Sequence, residues 1–182
     1  MSTHKRLVLL ALALALGACA GMAQSPQTSR TPGLGVPISE RDIAAWDISA
    51  APDGSGLPPG SGTPAQGAKI YVEKCMMCHG EKGTGKPFAA LVGGVPLTNG
   101  IDTTKTIANF WGYPTIIFDF TRRAMPFQAP RTLTNDEVYA LTAYILYLNK
   151  LIGENDVMNR ETLPKVQMPN RDGFIIKFPD KI

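Results

Sequence analysis

Apolar positions in the second half of the chain recur with the spacing of an α-helix. Residues 134–137 read TNDE, a capping-box sequence, and Val138, Leu141, Ile145 and Leu148 follow at helical intervals. The box marks where a helix begins, and the spacing turns the four apolar side chains toward one side. We therefore predict a helix that begins within this box and packs one apolar face against a core.

Two other segments favour helices. Residues 66–78 carry apolar and small side chains on adjacent turns, and Pro114 opens an apolar segment at the first helical turn, where proline is tolerated. The second helix must stop by Met125, because Pro126 disfavours helical geometry in the residue before it. Strand signals are weak throughout, so we predict an all-α fold.

Composition divides the chain of 182 residues into four parts. We assign residues 1–20 to a signal peptide, 21–64 to a Pro/Gly-rich arm, 65–150 to a compact domain and 151–182 to a C-terminal extension. A domain of roughly 85 residues forms only a marginal core by itself. A buried cofactor would supply the apolar surface that its side chains lack.

The N-terminus has the charge and apolar order of a signal peptide. Lys5 and Arg6 precede an unbroken apolar run at residues 7–16, which is shorter than the ~20 residues of a membrane helix. The sequence therefore predicts export to the periplasm. Removal of the leader lowers the formal net charge from +3 to +1, which leaves no strong field to attract nucleic acid or an anionic membrane.

The leader ends in residues 16–19 (LGAC), which resemble the lipobox of bacterial lipoproteins. Acylation of Cys19 would anchor the mature chain to a membrane. Ordinary cleavage a few residues later is the alternative and would discard this cysteine. In both cases Cys75 and Cys78 remain as candidates for chemistry.

Residues 75–79 read CMMCH and admit four interpretations. A structural zinc site needs four ligands, but the mature chain has no second pair and no histidine besides His79. A thioredoxin-like redox pair expects a βαβ pattern, which is absent, and a plain disulfide leaves the histidine unexplained. Covalent attachment of haem c uses two thioethers, from Cys75 and Cys78, and places the next imidazole under the iron. We therefore predict one covalent haem c, with His79 as an axial ligand.

The second axial ligand is restricted by the number of histidines. Because the mature chain has only His79, bis-histidine ligation within it is impossible. Met125 precedes Pro126 between two predicted helices, in a loop that can fold over the distal face, and the proline stiffens this loop. We predict Met125 as the second ligand. Met168, in the tail beyond the last helix, and an open sixth position are the alternatives.

These motifs together resemble class I cytochromes c. The resemblance covers about residues 65–149 and rests on Gly67-x-x-x-Tyr71, the CMMCH motif followed by Gly80, the Met125-Pro126 pair and an aromatic-rich final helix. It implies the class I cytochrome c fold, a small helical domain around one covalent haem. It also implies that Gly67 and Tyr71 pack against the final helix near its tyrosines at 144 and 147.

One segment departs from the family pattern. The family often has Pro-x-Leu-x-Gly after the haem motif, and the proline carbonyl accepts the proton of the axial imidazole. Residues 89–93 instead read AALVG, and Pro87 lies two residues early. The carbonyl that would orient His79 is left open.

A narrower resemblance extends outside the domain. The stretches PDGSGLPPGSGTPAQGAKIY, RRAMPFQAPRTLTNDEVYALTAYILYLN and LPKVQMPNRDGF resemble the SoxD-type cytochrome subunits of sulfane dehydrogenases and the related SorB-type subunits of sulfite dehydrogenases. The resemblance implies a molybdenum-cofactor subunit as electron donor and a downstream cytochrome or oxidase as acceptor. SoxD-type chains often carry two haems, whereas this chain has one Cys-x-x-Cys-His motif.

Three functions are compatible with the sequence. We expect an electron-transfer subunit of a sulfur-oxidising molybdoenzyme, with residues 37–64 and 151–182 wrapping the partner and Trp46 and Phe174 as anchors. Both arms packing on their own domain is the alternative. A free or lipid-anchored shuttle cytochrome needs only the haem domain, and a catalytic haem protein needs an open iron and distal acid–base groups. No independent catalytic site is evident.

Overall fold

The computed structural model describes residues 34–94, 96–97 and 102–174. The predicted signal peptide, the lipobox and Cys19 lie outside these residues. The chain separates into two units, Met1–Ser39 and Glu40–Ile182. In the first unit, residues 34–39 have no regular secondary structure and are exposed. Within the described ranges, no helix combines the length and apolar character needed to cross a membrane.

The regular secondary structure described for the second unit is mainly helical. In chain order they are α1 (Glu40–Trp46), α2 (Pro64–Lys74), α3 (Met76–His79), α4 (Ile107–Phe110), α5 (Pro114–Ala124) and α6 (Asn135–Leu148). The two described strands, β1 (Ser61–Gly62) and β2 (Met158–Asn159), have two residues each and pair antiparallel. Two 3₁₀ turns cover Glu81–Gly83 and Leu163–Lys165. The predicted all-α class is confirmed.

Helices α2 and α6 both begin in capping boxes. At α6, Thr134 Oγ1 accepts from Glu137 N at 3.3 Å, and Glu137 Oε2 accepts from Thr134 N at 2.8 Å, as the sequence predicts. At α2, Thr63 and Gln66 form a second box, with a proline in the first turn. Helix α2 therefore begins at Pro64 rather than at the predicted residue 66.

The core lies between α2, α5 and α6. The face of α6 that meets α2 is close enough that a Cβ on Gly67 would collide with the Ala140 carbonyl and lie 2.7 Å from Tyr144 Cβ. The largest buried apolar side chains of this core are Ile117, Phe118, Val138, Tyr139, Leu146 and Leu163. The packing of Gly67 near Tyr144, implied by the family resemblance, is present. Tyr147 stays partly exposed at the surface.

Parts of both arms pack on their own domain, whereas residues 34–47 of the N-terminal arm are exposed. Leu57 of the N-terminal arm and Met158, Leu163 and Met168 of the C-terminal extension are buried in the core. Strands β1 and β2 join the two arms to each other, with Gly62 opposite Met158. The alternative that the arms pack on their own domain is therefore present for these four side chains. The expected anchors Trp46 and Phe174 remain 76% and 52% exposed, and the wrapping of a partner by the arms stays a prediction.

Candidate cofactor site

A cavity of about 420 Å³ opens between the CMMCH segment, α5 and α6. Its size is within the ~300–1,000 Å³ of typical ligand and cofactor sites. The lining is dominated by large apolar side chains, namely Phe88, Leu91, Ile107, Phe110, Trp111, Ile117, Phe120, Phe127, Leu141 and Ile145. Cys75, Cys78, His79 and Met125 also line it. The structure thus brings all four residues predicted from the sequence to one cavity.

The two cysteines are presented by a break between helices. Helix α2 ends at Lys74, and Cys75 leaves helical geometry, with φ −126° and ψ −35°. One turn of helix follows, in which the amides of Cys78 and His79 donate to the Cys75 carbonyl at 3.1 and 3.0 Å. Met77 lies on the outside of this turn, 81% exposed. The turn therefore places two thiols and an imidazole on the cavity side.

The Cys75 thiol lacks the lowered pKa of a redox-exchange cysteine. Cys75 and Cys78 are free, half-buried thiols. Burial raises the pKa of the Cys75 thiol to about 11, whereas redox-active Cys-x-x-Cys thiols have lowered pKa values. Within the described ranges, no three His, Cys, Asp or Glu side chains gather as they would around a metal ion.

The imidazole of His79 is oriented by a backbone carbonyl. His79 Nδ1 lies 3.0 Å from the carbonyl oxygen of Ala89, and a proton on Nδ1 leaves the Nε2 lone pair available for a metal. The loop is fixed by bonds from Phe88 N to the Cys78 carbonyl at 3.0 Å and from Leu91 N to the Gly83 carbonyl at 2.8 Å. The acceptor left open by the sequence is thus Ala89, which supplies the same backbone group as a proline would.

Met125 and Met168 occupy different environments. Met125 follows α5 directly, with extended backbone at φ −116° and ψ 147°, and lines the cavity. Met168 is 2% exposed, belongs to the apolar core and is not among the cavity residues. Of the two sequence candidates for a distal ligand, only Met125 lies at the site.

Tyr71 connects the motif to α6. Its hydroxyl donates to the Gly80 carbonyl at 2.9 Å, and its ring lies 5.4 Å from the ring of Tyr144. Burial raises the pKa of Tyr71 to about 12, so the hydroxyl stays protonated as a donor. This contact anchors the residue after the motif histidine to the longest helix.

Asn149 is a site residue that the sequence argument missed. Its side chain donates to the carbonyls of Leu91 and Ile145, at 3.2 and 2.9 Å, and accepts from Gly93 N at 3.2 Å. It thereby ties the loop that carries Ala89 to the end of α6. The sequence did contain a signal for this role: an asparagine directly after the last apolar position of a helix can cap its C-terminal end.

The residues present fit a covalently attached haem. Two thiols lie one helical turn apart, the adjacent imidazole is oriented by a carbonyl, a thioether lines the same cavity, and the walls are apolar. Among the described lining residues there is no carboxylate. Such walls disfavour water, and the described lining offers metal ligands but no carboxylate as a distal acid or base.

Comparisons with known proteins agree with this geometry. A family model, Cytochrome c, matches residues 64–149. A chain in the crystal structure of the sulfane dehydrogenase SoxCD from Paracoccus pantotrophus is 38% identical, with a TM-score of 0.72, and the match covers 81% of this chain and 72% of that one. No curated protein sequence matches significantly.

The chain belongs to the class I c-type cytochromes, has their fold and serves electron transfer. Its cofactor is covalently bound haem c, and Cys75 and Cys78 stand at the typical attachment position. Within the class, it is similar to a chain of a sulfane dehydrogenase.

Proposed function

We propose that this cytochrome is the haem subunit that accepts electrons from a molybdenum-containing sulfane or sulfite dehydrogenase. The extent of the match to the sulfane dehydrogenase chain carries the proposal. Coverage of 81% corresponds to roughly 147 residues, whereas the Cytochrome c model spans residues 64–149. About 60 matched residues therefore lie outside the haem domain, where a generic cytochrome has no reason to be similar.

In this proposal Cys75 and Cys78 hold the haem through thioethers, and His79 and Met125 supply the axial ligands. The haem provides one-electron redox chemistry when bound. The Ala89 carbonyl orients the imidazole, and the apolar walls keep water from the iron; both are means by which proteins tune a haem potential. With both axial positions filled and no carboxylate in the described lining, the cavity favours electron transfer over catalysis at an open iron.

The rim of the cavity offers an apolar surface to a redox partner. Phe127 is 78% exposed and Phe88 is also exposed, and both line the cavity mouth. Lys74 and Lys105 line the same cavity. Exposed aromatic side chains tend to anchor protein interfaces, so we propose this rim as the point where electrons enter from the dehydrogenase or leave to a downstream cytochrome or oxidase.

We place the protein in the periplasm, on the basis of the apolar leader at residues 7–16 and of the haem attachment motif. Acylation of Cys19 would additionally tether it to a membrane. The shuttle cytochrome of a respiratory chain is the second candidate, because the haem domain and its rim would suffice for it.

Affinity purification of the full-length protein from its native cells tests the proposal. Molybdenum should co-elute with haem iron, and added sulfane or sulfite substrate should reduce the haem within the complex. Phe127→Ser should keep the haem spectrum and slow this reduction, whereas Met77→Ser, exposed on the outer side of the motif, should not. Haem protein that elutes without molybdenum and is not reduced by sulfur substrates would favour the shuttle.

A further inference from the structure

The segment that carries Met125 is attached to the N-terminal arm on both sides. Met125 is the first residue after α5, and its amide still donates to the Thr121 carbonyl at 3.2 Å. The chain then crosses the cavity mouth and reaches α6 after Thr134. The arm contacts this segment before Met125, through residues 119–123, and after it, through Arg131. We call arm residues 45–50 the brace.

The contacts before Met125 involve three residues of α5. Asp119 Oδ1 accepts from Ala50 N at 2.8 Å, and the Asp119 carboxylate also accepts from Arg123 Nε at 2.8 Å. Arg123 Nη2 donates to Ser49 Oγ at 2.5 Å. Arg122 Nη1 donates to the Ile48 carbonyl at 3.1 Å. These bonds fix the last two turns of the helix to the brace.

The contact after Met125 is made by a single side chain. Arg131 Nη2 donates to the Ala45 carbonyl at 2.8 Å, and its guanidinium lies 5.2 Å from the ring centre of Trp46. Arg131 has φ of +65°, a backbone conformation that costs a non-glycine residue energy. The two contacts of its side chain offset part of that cost and hold the far end of the loop.

We infer that the brace is a positioning element for the Met125 thioether, an inference that rests on the proposed role of Met125 as axial ligand. No brace residue lines the cavity, and none of its four partners does so either, namely Asp119, Arg122, Arg123 and Arg131. They act by fixing both ends of the loop. A loop with fixed ends samples fewer conformations, so the thioether leaves its bound position less often.

The experiment measures axial ligation in the haem-loaded, full-length protein. Asp119→Ala removes the acceptor shared by Ala50 and Arg123. Arg131→Leu removes the contacts of the guanidinium with the brace after Met125. Both variants should weaken the near-infrared sulfur–iron band, lower the haem potential and raise the fraction of iron that binds carbon monoxide. We expect roughly a fivefold rise for Asp119→Ala, whose bonds are partly buried, and a smaller one for the exposed Arg131.

Two controls separate positioning from general loss of stability. Tyr139→Phe removes another bond from the arm to the domain, from the Tyr139 hydroxyl to the Pro58 carbonyl at 2.8 Å, away from Met125. It should lower the melting temperature and leave the band and the carbon monoxide affinity unchanged. Arg131→Lys keeps a donor and a cation and should recover part of the Arg131→Leu loss.

Met125→Ala, measured in parallel, separates failure of the inference from failure of the ligand assignment. If Met125→Ala leaves the band intact, the assignment is wrong and the inference falls with it. If Met125→Ala abolishes the band while Asp119→Ala and Arg131→Leu behave like Tyr139→Phe, the assignment stands and the brace has no positioning role. Band loss in both brace variants beyond the Tyr139→Phe control supports the inference.

Discussion

At the scale of single residues, we propose that the sulfur of Met125 fills the sixth coordination position of the haem iron. A thioether ligand raises the potential of a haem and occupies the site that small ligands would take. Met125→Ala should therefore abolish the sulfur–iron band in the near infrared, lower the reduction potential and allow carbon monoxide to bind the reduced protein. Absorption spectra and a redox titration measure all three.

Met168 provides the matched control, because it is the other methionine followed by proline. It is buried in the core and does not line the cavity. Met168→Leu preserves volume and should cost less than about 1.5 kcal/mol in the free energy of unfolding, with an unchanged spectrum. Loss of the band in Met168→Leu, with retention in Met125→Ala, would transfer the ligand to the tail.

Gly67 sets how closely α2 approaches α6. A Cβ at this position would collide with the backbone of Ala140, and backbone cannot move aside as a flexible side chain can. We expect Gly67→Ala to destabilise the protein by about 1–3 kcal/mol, measured by denaturant unfolding. Gly153→Ala, whose Cβ would meet Asp156 side-chain atoms only at 3.4 Å or more, should change little. Equal stability of the two variants would contradict this account.

At the scale of elements, Glu137 links two helices. Its carboxylate closes the capping box of α6 and accepts from Lys74 Nζ of α2 at 2.8 Å. The hydrogen bond from Lys74, followed by the backbone bond from Thr134, lowers the pKa of Glu137. One side chain thus fixes both the start of α6 and its contact with the helix that leads into the motif.

The lowered pKa of Glu137 predicts a pH dependence. Because the folded-state value lies below the unfolded value of about 4.3, the ionised carboxylate stabilises the fold fully at neutral pH. That contribution is lost as pH falls through the folded-state pKa. Glu137→Gln should therefore reduce the free energy of unfolding more at pH 7 than at acid pH, where the carboxyl is protonated in both the folded and the unfolded state. Glu154→Gln, on an exposed loop, should leave the free energy of unfolding at pH 7 unchanged.

The elements that sequence alone could predict are those with local signals. The TNDE box and Pro114 lie at the starts of α6 and α5, as predicted, because capping and proline chemistry act within a few residues. The break at Cys75 was missed, since no proline or glycine marks it. The short helix α4 was also missed, although the capping box of Thr106 and Asn109 is a local signal. The carbonyl that orients His79 was left open, because residue 89 is alanine where the family pattern has proline; the structure places the Ala89 carbonyl there.

At the scale of the whole molecule, the arms are part of the fold. Met158, Leu163 and Met168 are buried in the same core as α6, and β2 pairs with β1 from the other arm. Truncation of both arms would therefore remove core side chains and destabilise the haem domain itself. Loss of co-purification after truncation would not distinguish docking from unfolding, so surface substitutions at the cavity rim are the better test of partner binding.

The packing of the arms predicts how amide hydrogens exchange in the isolated protein. If the C-terminal extension belongs to the core, amides at residues 158–166 should exchange nearly as slowly as those of α6, because both need global unfolding to open. Residues 34–39, which are exposed, should exchange within the dead time of the measurement. Addition of a molybdenum-containing partner should then protect the cavity rim around Phe127 more than the extension. If residues 158–166 exchange as fast as 34–39 until a partner is present, the extension orders only on binding, and the arms wrap the partner after all.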